Sequence, residues 1–412
     1  MPAPGPGSSS APHDAPARPR STLSVLAAAV TSGLAGYVVL VLAARGLEPA
    51  VNAQFLVFWG AVFGFFGVLI GVTTETTRTV FASRGTTGTT RVFPVVLGAG
   101  AVLVAVVAAL GPVWAPPLFG DPWPGLLAPV VVGIVLFLVH ATVAGAAAGT
   151  GQWDSYGLLV GLESVARLVA VAAAVALGAH VVGLAWAVVG ACGTWLLLWL
   201  ASPRQRALWH VRADVTPGGL VRRLAAAATA SGVSALLLVG YPVLLKLTTP
   251  EDVFAGAAPI ILAVSLCRAP LMVPLGAYQN VVVTRVAAHG VRALVPVATG
   301  LGVLTVVGSL AAWPIGPWAL RVVNPAYHVD GPVFAGLVLG AGLVALLTVT
   351  GAAAVALDHH TVYLVGWVCA TLAAIAVLLT PWSLETRVVV SLLVGPVVGV
   401  AVHLALGRQR IG

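Results

Sequence analysis

Five charged residues stand inside, or at the very end of, long apolar runs: Glu75, Arg78, Glu163, Arg167 and Arg268. An ionised side chain at membrane depth is costly, so each is a functional candidate by default. Arg268 is the sharpest, with no acid within four residues and with Pro259, Pro270 and Pro274 nearby. A guanidinium so placed calls for a carboxylate from another helix, Glu75 or Glu163, or for an anionic ligand. A diphosphate suits its planar fork; the third reading is that it snorkels to the headgroups. The prolines loosen the helix and free backbone carbonyls near a cleft. Glu75 and Arg78 lie three apart and Glu163 and Arg167 four apart, so each pair shares one helix face. Each is read either as an intrahelical ion pair that lowers the insertion cost or as a cleft lining that binds sugar or pyrophosphate. In the second reading one glutamate could accept a coupling proton.

Weaker signals surround these. Arg45 and Lys246 end two apolar runs at the expected outer mouth, where a released diphosphate would emerge or where a long side chain snorkels. Thr31, Ser32, Thr229, Ser231 and Ser234 face a cleft or, with Gly33, Gly36 and Gly232, serve close helix packing. Asp358-His359-His360 reads as a solvated turn, because three adjacent residues do not converge as metal ligands do. Tyr278-Gln279-Asn280 is polar where an inner gate would sit. Cys192, Cys267 and Cys369 lie in apolar runs and imply neither disulfide nor metal, and no cofactor is expected.

The elements that must position these residues follow from composition. Of 412 residues only 20 are Lys or Arg and 12 are Asp or Glu, 59% are apolar, and the mean hydropathy is +1.05. An ordinary soluble domain carries about 25% charged residues. The chain therefore reads as an all-α polytopic membrane protein, not a soluble, disordered or nucleic-acid-binding one. Apolar runs longer than 18 residues exclude the alternating strands of a β-barrel.

A spanning helix needs about 20 apolar residues. Twelve such runs are expected, near 22–44, 52–73, 92–115, 125–148, 156–178, 182–201, 221–246, 253–277, 293–313, 332–357, 361–380 and 385–407. They divide the chain into a disordered tail (1–21), an N-lobe (22–201), a linker (202–220), a C-lobe (221–407) and a short tail (408–412). Fourteen arginines fall on the expected inner side and four basic residues (Arg45, Lys246, Arg321, Arg387) on the outer, which places both termini in the cytoplasm. Leu208, Trp209 and Val211, beside Arg204, Arg206 and Arg212, give the linker an amphipathic piece for the inner leaflet or a solvated positive loop. Ala27-Ala28-Ala29-Val30-Thr31-Ser32-Gly33 matches Ala226-Ala227-Ala228-Thr229-Ala230-Ser231-Gly232 at an offset of 199 residues, and Phe55 falls on Phe254. Six helices between equivalent points makes a parallel 6+6 repeat around a central cleft, the layout of a transporter.

At this point the residues resemble a family. Ala44-Arg45-Gly46-Leu47-Glu48-Pro49 with Phe55-Leu56-Val57-Phe58-Trp59 resembles the first helical junction of bacterial polysaccharide-export proteins. These Wzx-like proteins belong to the multidrug/oligosaccharidyl-lipid/polysaccharide (MOP) flippase superfamily. Glu75-Thr76-Thr77-Arg78, Gly149-Thr150-Gly151-Gln152 with Glu163-Ser164-Val165-Ala166-Arg167, and Cys267-Arg268-Ala269-Pro270-Leu271 are similar to that group. The resemblance implies alternating access by two lobes, with a polyprenyl-diphosphate-linked oligosaccharide flipped across the bacterial cytoplasmic membrane for surface polysaccharide synthesis. Its implied partners are that glycan lipid, membrane lipids, and a glycan polymerase or glycosyltransferases. Arg268, Glu75, Arg78, Glu163, Arg167 and Arg45 are the expected cleft residues. The nearest rival is a MATE-like cation-coupled multidrug exporter, which would place a carboxylate in the first, seventh or eighth helix, where none is seen. A lipid II flippase would have fourteen helices. A major-facilitator transporter would carry a G-x-x-x-D-R-x-G-R-like loop, which Thr79 to Arg91 lacks. A polyprenyl-phosphate-dependent glycosyltransferase or ligase would need an acidic site in a larger outer loop.

Overall fold

A computed structural model describes residues 19–86, 88–290, 292 and 294–408. The N-terminal half contains α1 (Pro19–Gly46), α2 (Pro49–Ala82), α3 (Val92–Ala109), α4 (Gly111–Phe119), α5 (Trp123–Thr150), α6 (Trp153–Ala176), α7 (Val181–Gly190) and α8 (Thr194–Ala201). The linker carries α9 (Pro203–Ala207). The C-terminal half contains α10 (Pro217–Leu238), α11 (Tyr241–Leu247), α12 (Glu251–Phe254), α13 (Ala258–His289), α14 (Leu294–Val323), α15 (Gly331–Ala356), α16 (His360–Leu378) and α17 (Leu384–Arg408). Twelve stretches among the described residues are long and apolar enough to cross a bilayer. They match the expected twelve in order, with α7 and α8 joined by a 3₁₀ turn into one span.

Several boundaries move, each for a local reason. α2 runs on to Ala82 rather than stopping near residue 73, helped by threonines that satisfy their hydroxyls on the helix's own carbonyls or on α5: Thr74 Oγ1 bonds Ile70 O, and Thr73 Oγ1 bonds Ala141 O. The expected span 221–246 breaks at Val239–Gly240, where Pro242 has no N–H for the Leu238 carbonyl four residues back. α5 stops at Gly151, whose φ of 79° is the left-handed conformation a helix C-terminus favours. Residues 1–18, with Arg18, lie outside the described residues, as do the side chains of Arg20, Tyr278, Gln279, Asn280 and Arg408.

Helix packing repeats between the halves. α2 packs on α5 as α13 packs on α15, α3 on α5 as α14 on α15, and α6 on α7 as α16 on α17. The halves meet where α1 and α2 lie against α10 and α13. Along that seam the backbones approach closely: a Cβ on Gly71 would stand 2.5 Å from the Ala227 backbone, and one on Gly67 2.3 Å from Ala235 Cβ. Of the repeat motif, Ala227 and Gly232 thus serve packing on α2 at this seam.

The linker is tied to the N-lobe. β1 (Thr90–Arg91) pairs antiparallel with β2 (Arg212–Ala213), the one strand pair among the described residues. Ser83 Oγ accepts from Asp214 N at 2.8 Å, Leu208 is buried, and Trp209 stacks on Phe93 at 4.6 Å. Much of the linker's apolar side is therefore spent on protein.

Candidate functional site

Between the halves lies a cavity of about 250 Å³. α1 contributes Gly33, Gly36, Tyr37 and Leu40; α2 contributes Leu56, Trp59 and Phe63. From the other lobe come Leu238, Val239, Tyr241 and Pro242 at the α10–α11 break, and Ile261, Val264, Ser265 and Arg268 of α13. None of these lining residues is acidic, and Arg268 is the one cation among them.

The α10–α11 break positions Arg268. Nη1 donates to Leu238 O at 2.7 Å, the carbonyl that Pro242 leaves without a helical donor, and to Leu237 O at 3.4 Å. Cζ lies 5.4 Å from the Tyr241 ring centroid, a cation–π contact. Tyr241 is held in turn by Ser391, with 2.8 Å between the hydroxyls. Nε and Nη2, however, have no hydrogen-bond partner among the described residues, although Arg268 is only 7% exposed. These two donors form the edge with which Arg78 grips Glu75, at 2.9 Å for both Nε–Oε2 and Nη2–Oε1. Two donors on one edge of the Arg268 guanidinium thus have no acceptor among the described residues, near the middle of the span Ala258–Leu275.

The other expected site residues lie elsewhere. Glu75 is buried, bonded by Arg78 and, at 2.7 Å, by the Thr79 hydroxyl, while the Arg78 side chain is 62% exposed. Glu163 and Arg167, both buried in α6, form an intrahelical pair. Cys192 Sγ lies 3.6 Å from Glu163 Oε1, and the Arg167 guanidinium stands 4.8 Å from the Phe63 ring. Phe63 therefore separates this pair from the cavity. Arg268 lies on the cavity wall, while Glu75 and Glu163 each have a partner on their own helix.

At the end of the bundle expected to be outside, Arg45 reaches across the seam to the last carbonyls of α14. Lys246, its counterpart in the repeat, pairs with Glu251 and lies 4.8 Å from the Phe254 ring. Asp358 and His360 form an exposed 3.1 Å pair in a turn where Asp358 has φ 62°. No group of three or more His, Cys, Asp or Glu that could hold a metal occurs among the described residues.

Tyr37, Trp59, Phe63, Tyr241 and Ser265 did not stand out in the sequence, since aromatics in apolar runs are ordinary core residues. Pro242 was the available signal: a proline inside an expected span marks a place where carbonyls come free.

No known protein-family model matches the chain. It is 42% identical over 388 residues to the uncharacterized protein Rv1510 of Mycobacterium tuberculosis, covering 91% of this chain and 88% of that one. It is 41% identical over 404 residues to the uncharacterized protein Rv3630 of the same organism, covering 94% and 92%. Among solved structures it resembles an inward-facing multidrug resistance MATE family transporter of the MOP superfamily, with TM-score 0.68, 15% identity and 95% and 98% of the two chains covered. An outward-facing MATE transporter gives TM-score 0.64 at 16% identity over 95% of each chain. A MOP superfamily transporter from Pyrococcus furiosus, described as having a binding pocket of reverse polarity, gives 0.61 at 14% identity over 95% of each. At such identities the likeness is one of fold: two lobes of six spans.

Proposed function

The chain belongs to the family of Rv1510 and Rv3630, and from that premise we propose that it is a membrane transporter working by alternating access, with a polyprenyl-diphosphate-linked oligosaccharide as substrate. In this reading it sits in the bacterial cytoplasmic membrane with both termini inside, and a glycan polymerase or glycosyltransferases work beside it. The observation that carries the reading is the buried Arg268 edge with no protein acceptor, on a cavity whose described lining holds no acid. A buried cation whose remaining donors have no partner favours an anion with two oxygens to offer, and phosphoryl groups supply that geometry. The aromatic lining of Tyr37, Trp59, Phe63 and Tyr241 adds flat apolar surface for the rest of the ligand.

The second reading, a multidrug exporter, is favoured by the MATE structures that share the fold and by the same aromatic lining. Its difficulty is charge. A cationic drug would meet Arg268 with no carboxylate on the cavity wall.

Reconstitution decides between them. Liposomes holding the purified chain receive a polyprenyl-diphosphate oligosaccharide on one leaflet, and a lectin reports its arrival on the other. Transfer that Arg268→Ala abolishes supports the proposal. Export of a cationic dye with no movement of the glycan lipid would sink it and leave the exporter standing.

A further inference from the structure

Arg45 uses the same pair of donors that finds no protein acceptor in Arg268. Its Nη2 donates to Val322 O at 2.9 Å and its Nε to Val323 O at 3.2 Å. Those carbonyls close α14, where helix C-terminal oxygens have no intrahelical donor and carry the negative end of the dipole. The contact is reciprocated: Asn324 Nδ2 donates to Ala44 O at 2.7 Å, near the C-terminus of α1. One turn into α2, Asn52 Nδ2 donates to the hydroxyl of the fully buried Tyr327 at 2.8 Å. Four polar side chains thus bolt the N-lobe to the α14–α15 loop at one end of the seam. Three forks can be compared directly: that of Arg78 holds a carboxylate, that of Arg45 a pair of carbonyls, and that of Arg268 has no protein acceptor among the described residues.

We infer that Arg45 is a second oxyanion station, whose two carbonyls stand in for the oxygens of the anionic ligand while the lobes are closed at this end. This rests on the anionic-substrate reading above. Opening must part α1 from α14 and so strip the carbonyls from the fork. An anion arriving from the cavity offers the fork a partner of opposite charge in place of neutral carbonyls and displaces them. Binding at Arg45 and opening of this end are then one event, and the ligand shifts the equilibrium by its preference for the open form. Lys246 occupies the equivalent place in the other lobe but is engaged by Glu251, so the station is one-sided.

Spin labels on Glu48→Cys and Ala326→Cys, both exposed, measure the bolt in the detergent-purified full chain, with the unlabelled-pair chain as the blank for native cysteines. The intact bolt gives one short distance. Arg45→Ala and, independently, Asn324→Ala each raise the long-distance population about tenfold, the worth of one or two hydrogen bonds. Inorganic pyrophosphate at millimolar concentration lengthens the distance in the intact chain and in Arg268→Gln. It fails to do so in Arg45→Gln, whose amide still reaches a carbonyl but has no fork. If Arg45→Ala and Asn324→Ala both leave the distance unchanged, the bolt is refuted. If Arg45→Gln responds to pyrophosphate as the intact chain does, the station is refuted. A response lost in Arg268→Gln but kept in Arg45→Gln would assign the anion to the cavity alone, refuting the station while sparing the transport reading.

Discussion

Arg167 and Arg268 are both buried guanidiniums within membrane-spanning helices, and their surroundings could hardly differ more. Arg167, inside the N-lobe, has a carboxylate four residues away on its own helix, an aromatic face beside it and a thiol on the same carboxylate. Arg268, at the seam, has two backbone carbonyls, one tyrosine face and two idle donors. A buried charge is tolerated only when it is paired and hydrogen-bonded. The first arginine has a carboxylate partner within the fold, although its Nε also lacks an acceptor among the described residues; the second has only neutral carbonyls and a tyrosine face, with no counter-charge of its own.

The comparison breaks most visibly if Arg268 is truncated. Arg268→Ala should cut glycan-lipid transfer about a hundredfold, the worth of two charge-assisted hydrogen bonds. Its melting temperature in detergent should change little, because removal of a buried charge offsets the loss of the donor to Leu238 O. Arg268→Lys should transport almost as poorly, since an ammonium is a point charge without a planar fork. Transport by the lysine variant at the native rate would show that charge alone suffices. Arg167→Ala should behave in the opposite manner: it strands Glu163 in the interior and costs about 3–5 kcal/mol of stability. Replacing both Glu163 and Arg167 by leucine should recover most of that loss in thermal unfolding. A single variant as stable as the native chain would mean that Glu163 finds another donor.

How much of this was legible beforehand divides along the same line. The twelve spans follow from apolar runs, and the isolation of Arg268 follows from the absence of an acid within four residues; both are local properties of the chain. The Glu163–Arg167 pair was legible because helix geometry brings residues four apart together. What closes the cavity was not. Tyr37 and Trp59 meet Tyr241 and Arg268 only because α1 and α2 fold onto α10 and α13, some 200 residues on. Arg45 and the carbonyls of Val322 and Val323 are 277 and 278 residues apart, and a carbonyl carries no sequence signature at all. The Leu238 carbonyl is the intermediate case, since Pro242 announces that some donor is missing without saying which side chain supplies it.

Phe63 sharpens the comparison because it touches both arginines' neighbourhoods: Arg167 stands 4.8 Å from its ring, and the ring lines the cavity and stacks on Trp59 at 4.1 Å. Phe63→Leu keeps the apolar surface and removes the quadrupole, so stability should fall by about 0.5–2 kcal/mol in thermal unfolding. If the ring only walls the cavity, stability would stay unchanged and only the affinity for the glycan lipid would move.

The smallest effect belongs to Arg78, whose pair with Glu75 has the better geometry, two bonds of 2.9 Å, yet whose side chain is 62% exposed. Water already solvates that guanidinium, so forming the pair exchanges one good partner for another and orders a long side chain in doing so. Glu75, though buried, keeps the Thr79 hydroxyl at 2.7 Å when Arg78 is removed. Arg78→Ala should therefore cost less than about 1 kcal/mol, and the loss should shrink further in high salt. Adding Thr79→Val should cost more than the sum of the two single changes, because only the double variant leaves the carboxylate without a donor. A loss for Arg78→Ala as large as that for Arg167→Ala would mean that exposure does not govern the worth of these pairs, and the contrast between the seam and the lobe interior would have to rest on geometry alone.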